Sequence, residues 1–167
     1  MNKISLIYNS LYSHFGHQLW WPVTLDGEIE PKYHKNVALN EKQKLEICFG
    51  AILAQNTSWK NVEKAIVELN KNNLIDTDKI LKISNKKLAE TIKSSGYHNQ
   101  KAKKLKNFCK FLMKKYDGNL NNLFQNNIDE WGLKINARVG FGADFGSRIW
   151  GQIWQIWGQV FNLAIIE

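Results

Sequence analysis

Residues 41–69, EKQKLEICFGAILAQNTSWKNVEKAIVEL, decide the fold. In 41–54 the apolar residues Leu45, Cys48, Phe49, Ile52 and Leu53 recur at spacings of three and four, the period that puts side chains on one face of a helix. The polar QNTS interrupts that period. Asn56, Thr57 or Ser58 can then cap a second helix, with Val62, Ala65, Ile66 and Leu69 as its buried stripe. Two amphipathic helices joined by a short polar corner point to an all-α fold.

The segments on either side agree. Upstream, Ile4, Ile7, Tyr8, Leu11, Tyr12 and Phe15 form one face of a helix over 3–15, and Gly16 fits its end. Residues 17–40 are rich in His, Trp, Pro, Gly and Asn without a sustained period, which predicts a long ordered loop pinned by Trp20 and Trp21. Downstream, Asp76 or Asp78 can open a short helix through Ile83, and Asn85 another through Ser94, with Leu88 and Ile92 inward and Gly96 at the left-handed end position. Residues 99–116 give an amphipathic helix with Ala102, Leu105, Phe108, Cys109, Leu112, Met113 and Tyr116 on one side and lysines on the other. No stretch alternates as a half-buried strand does, so the fold class is all-α up to about residue 128.

Composition bounds the class of protein. A chain of 167 residues with 44% apolar and 12% aromatic content can bury a core of its own. Its longest apolar stretches fall well short of the roughly 20 residues of a membrane span, and the N-terminal MNKISLIYNS lacks the core of a signal peptide. These features predict a cytoplasmic protein that does not enter a membrane. Cys48 and Cys109 sit among apolar residues and read as reduced, buried thiols. The net charge of +8 comes from 21 Lys against only 2 Arg, a balance that suits a polyanion partner but equally suits a solvated surface. The dense run Lys101, Lys103, Lys104, Lys106, Lys110, Lys114 and Lys115 can likewise be no more than the wet face of its helix.

The composition changes sharply after Trp131. Four of the 7 Trp, 6 of the 11 Gly and both Arg lie between there and Glu167, with a single Lys, and IWGQ occurs twice within IWGQIWQIWGQ (149–159). This reads either as a separate binding tail or as an unrelated or frame-shifted segment. The expected division is residues 1–128 as a helical domain and 129–167 as a divergent tail.

Chemical motifs are sparse. The chain has no phosphate-binding glycine loop of the Walker type, no H-E-x-x-H, no C-x-x-C and no G-x-S-x-G. His14 and His17 lie three apart with no third ligand, so neither a metal nor a cofactor is expected. What remains is aromatic density beside polar amides near predicted helix ends: Trp20, Trp21, Gln55, Asn56, Trp59 and Tyr97. Such a set suits the extrusion of a base from duplex DNA, where one side chain fills the gap and flat rings hold the base. It equally suits a plug of packed tryptophans and a capped loop amide.

Three blocks in register carry a resemblance: WWP (20–22), GAILAQNTSWKNVEK (50–64) and GYHNQKAKKL (96–105). They resemble the endonuclease III superfamily of helix-hairpin-helix DNA glycosylases, and most of all its 3-methyladenine DNA glycosylase III branch. The resemblance covers roughly residues 4–116. It implies base excision from double-stranded DNA by a monomer, through hydrolysis of the N-glycosidic bond of a damaged, alkylated base. Carried over residue by residue, it makes Gln55 the wedge entering the duplex, Trp59 the ring stacking on the extruded base, and Trp20, Trp21 and Pro22 the opposite pocket wall. It sets Asn99 and Lys101 near the DNA backbone.

The family pattern then breaks. Its hairpin, of the form L-x-x-x-K-G-I-G-x-x-T-A-D, and the helix bearing its catalytic Asp are not recognisable. VGFGAD (139–144) lacks the Lys and the T-A pair. Asp144 is therefore not assigned, and no catalytic residue is named. The fold expected is a partial helix-hairpin-helix glycosylase, and the activity expected of the chain as written is background. The alternative is a non-catalytic DNA-binding remnant or frame-shifted product.

Overall fold

The computed structural model describes residues 3–16, 21–34 and 38–123. Asn40 starts the central hairpin with a reciprocal cap. Its side-chain oxygen accepts from the Gln43 backbone N–H at 2.9 Å, and the Gln43 side chain accepts from the Asn40 N–H at 2.9 Å. Helix α2 (Glu41–Leu53) follows and buries Leu45, Cys48, Phe49, Ile52 and Leu53, as its spacing predicts. The corner 54–58 turns on Asn56, whose φ of 54° lies in the left-handed region that asparagine tolerates better than most residues. Helix α3 (Trp59–Lys71) then runs back with Val62, Ala65, Ile66 and Leu69 buried. Ser58 stands at its N-cap position, although its side chain makes no capping bond.

Helix α1 (Lys3–Phe15) has the predicted extent, and Gly16, at φ 64°, closes it through its N–H to the Tyr12 carbonyl at 2.8 Å. Asp76 caps α4 (Thr77–Lys82) through the Lys79 N–H at 2.9 Å. Ser84 caps α5 (Asn85–Thr91). Here the predicted helix through Ser94 is shorter. The chain tightens into a 3-10 turn at Lys93–Ser95, where the Ser95 hydroxyl donates to the Ile92 carbonyl at 2.7 Å and the Ser94 hydroxyl to the Asn61 carbonyl at 3.0 Å. Gly96, at φ 66° and ψ 159°, occupies a backbone region open almost only to glycine.

Helix α6 (His98–Tyr116) is the spine against which α2, α4 and α5 pack, while α3 packs on α2, α5 and the 3-10 turn. Phe49 of α2 meets Phe108 of α6 edge-to-face, with centroids 6.4 Å apart. Ile52, Leu53, Ile66, Leu69, Ile80, Leu88, Ile92, Leu105 and Leu112 fill the core around them. Each such side chain contributes roughly 1.5–3 kcal/mol by leaving water. Met113 and Tyr116, expected inward, are half-buried where α6 runs past this core. The only pairing of extended segments among the described residues is a single antiparallel bridge, Val23 with Lys32, so the architecture is all-α. None of the described helices is long and apolar enough to cross a membrane. The tail that the sequence sets apart, 129–167, lies outside the described residues, and Asp144 with it.

Candidate nucleic-acid interface

The site forms where α2 ends. Gln55 stands two residues beyond the last residue of α2, half-exposed, in the corner fixed by the left-handed Asn56. Trp59 opens α3, and its indole Nε1–H donates to Glu63 Oε1 one turn on at 2.8 Å. Trp21 packs on Trp59 edge-to-face, with centroids 5.2 Å apart and ring planes at 66°. Gly50 of α2 lies beneath both rings: a Cβ there would be 3.7 Å from Trp59 Cη2 and 3.8 Å from Trp21 Cζ3. Pro22 is buried next to Trp21, and Trp20 lies outside the described residues.

The sequence reading treats Trp21 and Trp59 as opposite walls. A base sandwiched between two rings needs them roughly 7 Å apart, two aromatic contact distances. At 5.2 Å and steeply inclined, these two rings touch and form one aromatic corner.

A buried polar network sets the loop that carries Trp21. Glu46, only 3% exposed, accepts from the Thr24 N–H at 2.8 Å, the Thr24 hydroxyl at 3.1 Å and Asn70 Nδ2 at 3.1 Å. Gln43 Nε2 adds a bond to the Thr24 carbonyl at 3.2 Å. A buried carboxylate is tolerable only when its lone pairs are satisfied, and here three donors from the loop and α3 do so. The loop is thereby tied to both helices of the hairpin three residues after Trp21. Sequence reasoning passes over this network, although a Glu inside the apolar run LEICFGAIL is its visible trace.

The two residues expected near a DNA backbone part company. Asn99 is exposed in the first turn of α6. Lys101 is 3% exposed, and its ammonium donates to the Leu53 carbonyl at 2.9 Å and the Ser95 carbonyl at 2.5 Å. Burial, and next the charge of Lys104, hold its pKa below the ordinary lysine value. Its charge therefore ties the end of α2 to the turn before α6 and brings the loops around Gln55 and Tyr97 onto one face. One turn on, the half-buried Lys104 donates from Nζ to Gln55 Oε1 at 2.6 Å. Tyr97, at φ 44° and 63% exposed, stands where the second loop meets α6.

Comparisons with known proteins bear on the family and the fold. A Methanocaldococcus jannaschii protein named "Putative DNA repair glycosylase" is 42% identical over 118 residues, which are 69% of this chain and 46% of that protein. The crystal structure of Helicobacter pylori 3-methyladenine DNA glycosylase bound to 1,N6-ethenoadenine superposes with a TM-score of 0.51 at 27% identity, over 87% of this chain and 60% of that one. The chain thus spans about half the length of the curated relative. The model of the HhH-GPD superfamily base excision DNA repair protein matches residues 49–159, running beyond the three blocks and into the tryptophan-rich segment. With a family match over more than half its length and an all-α fold shared with the solved glycosylase, the chain belongs to the HhH-GPD superfamily of base excision DNA repair proteins.

Proposed function

We propose that this chain is the lesion-recognising part of a DNA glycosylase: a cytoplasmic monomer that binds double-stranded DNA, wedges Gln55 into the stack and holds a damaged, alkylated base against the Trp21–Trp59 corner. The observation that carries this reading is the convergence on one helix corner of a half-exposed amide, an aromatic pair and a lysine. Extrusion needs those three chemistries together: a filler for the gap, a flat apolar surface for the base and positive charge for the backbone. The family resemblance assigns Trp20 and Pro22 to the pocket wall and Asn99 to the vicinity of the DNA backbone.

The reaction served is hydrolysis of the N-glycosidic bond, which needs a carboxylate to stabilise the charge developing on the sugar. Among the described residues, Glu63 is engaged by the Trp59 indole and Glu46 by Thr24 and Asn70. The proposed reading of recognition without turnover rests instead on the family's hairpin and catalytic Asp being unrecognisable in the sequence. The test uses a duplex containing 1,N6-ethenoadenine, the base held in the H. pylori structure. Tighter binding of that duplex than of a matched undamaged one, with free-base release at background, is the expected result. Equal binding of both duplexes would refute the recognition reading, and robust release would refute the absence of a catalytic group.

A further inference from the structure

We infer that Lys104 is a positioning residue for Gln55: it holds the amide in the DNA-free protein and passes to a DNA phosphate when Gln55 enters the duplex. This rests on the wedge reading proposed above and adds a second role to the same face.

Two lysines, Lys101 and Lys104, lie one turn apart on α6. Lys101 is closed in by the Leu53 and Ser95 carbonyls, so the backbone two residues before Gln55 is fixed to α6. Leu53 is the last residue of α2, where carbonyls lack helical partners and the helix dipole welcomes a cation. Lys104 lies on the same side of α6, close enough to Lys101 for their like charges to oppose each other. Its ammonium therefore gains from an acceptor, and in the free protein that acceptor is Gln55 Oε1, at 2.6 Å and partly buried. Inserting Gln55 into DNA takes that acceptor away and brings phosphates to the same face. A phosphate oxygen is the stronger partner, because both members of the new bond are ionised. The exchange keeps Lys104 paired in both states and lowers the cost of withdrawing the wedge from its resting place.

The test compares the full 167-residue chain with Lys104→Met and Lys104→Arg. In the free protein, the Gln55 side-chain amide signal in NMR, assigned by its loss in Gln55→Ala, is expected to shift in Lys104→Met and stay near its wild-type position in Lys104→Arg. On duplex DNA with a stable abasic-site analogue, Lys104→Met is expected to bind about three- to tenfold more weakly at low salt. Its log–log salt slope is expected to be shallower by about 0.9, one phosphate contact, with Lys104→Arg restoring it. A merely structural lysine would change the melting temperature without changing that slope. An unmoved Gln55 signal overturns the resting contact, and an unchanged slope overturns the transfer. Wild-type binding with no preference for the abasic duplex would instead strike at the wedge reading, while the free-protein arm still decides the contact.

Discussion

Trp59 combines a ring surface with a donor, and the two can be separated. Its Nε1–H is held by Glu63 at 2.8 Å while its ring meets Trp21. Trp59→Phe keeps an aromatic surface and removes the donor, so urea unfolding is expected to show a loss of about 0.5–1.5 kcal/mol. A loss above about 3 kcal/mol would show that ring packing, and not the hydrogen bond, dominates. At this scale the sequence is legible where a residue type is rare. Trp21, Trp59 and Gln55 stand out from their neighbours, and the structure brings them to one corner. Lys104 was not legible, because seven lysines on one helix look alike until the fold shows which meets Gln55 and which, like Lys101, turns inward. The contact between Trp21 and Trp59 was also hidden, since it depends on the path of a 38-residue separation set by Glu46 and Thr24.

Within α2, Gly50 weakens the helix and leaves room under the tryptophans. An alanine Cβ would meet both rings at ordinary contact distance, so Gly50→Ala is expected to raise stability by about 0.5–1 kcal/mol without moving them. Gly50→Leu overfills the same space and is expected to cost about 1–3 kcal/mol. Thermal or urea unfolding of both variants checks this, and a destabilising alanine would show the corner to be tighter than its geometry implies. Between α2 and α6 lie the two thiols. Burial pushes Cys109 up to about 12, with Asp76 adding to the rise, and burial and then Cys109 push Cys48 up as well. Unfolded thiols titrate near 9, so the folded state keeps protons that the unfolded chain loses. The thiols' contribution is complete below that value and is lost as pH climbs through the folded one. Unfolding midpoints from about pH 8 to about pH 11 should therefore fall less steeply in a Cys48→Ala, Cys109→Ala variant than in the wild type. Equal slopes would count against thiol burial as the cause.

For the whole molecule, α1, α2, α3, α5 and α6 were legible from apolar stripes at helical spacing and α4 from its capping Asp, and both signals are local information. The boundary near Ser94 was not, because hydrogen bonds from Ser94 and Ser95 redirect the chain there. With a net charge of +8, almost all lysine, the proposed DNA binding is expected to be chiefly electrostatic. Affinity for undamaged duplex should fall steeply as salt rises, and a binding constant indifferent to salt would contradict this. The central claim is that recognition adds to this background at one corner, where Gln55 and the tryptophans meet. It is tested most directly by the ratio of affinities for ethenoadenine-containing and undamaged duplex, measured at one salt concentration for the wild type and for Gln55→Ala, Trp59→Ala. The account expects a wild-type ratio well above one that falls to about one in the double variant, with undamaged-duplex affinity nearly unchanged. A ratio that survives the double substitution would place recognition elsewhere in the chain.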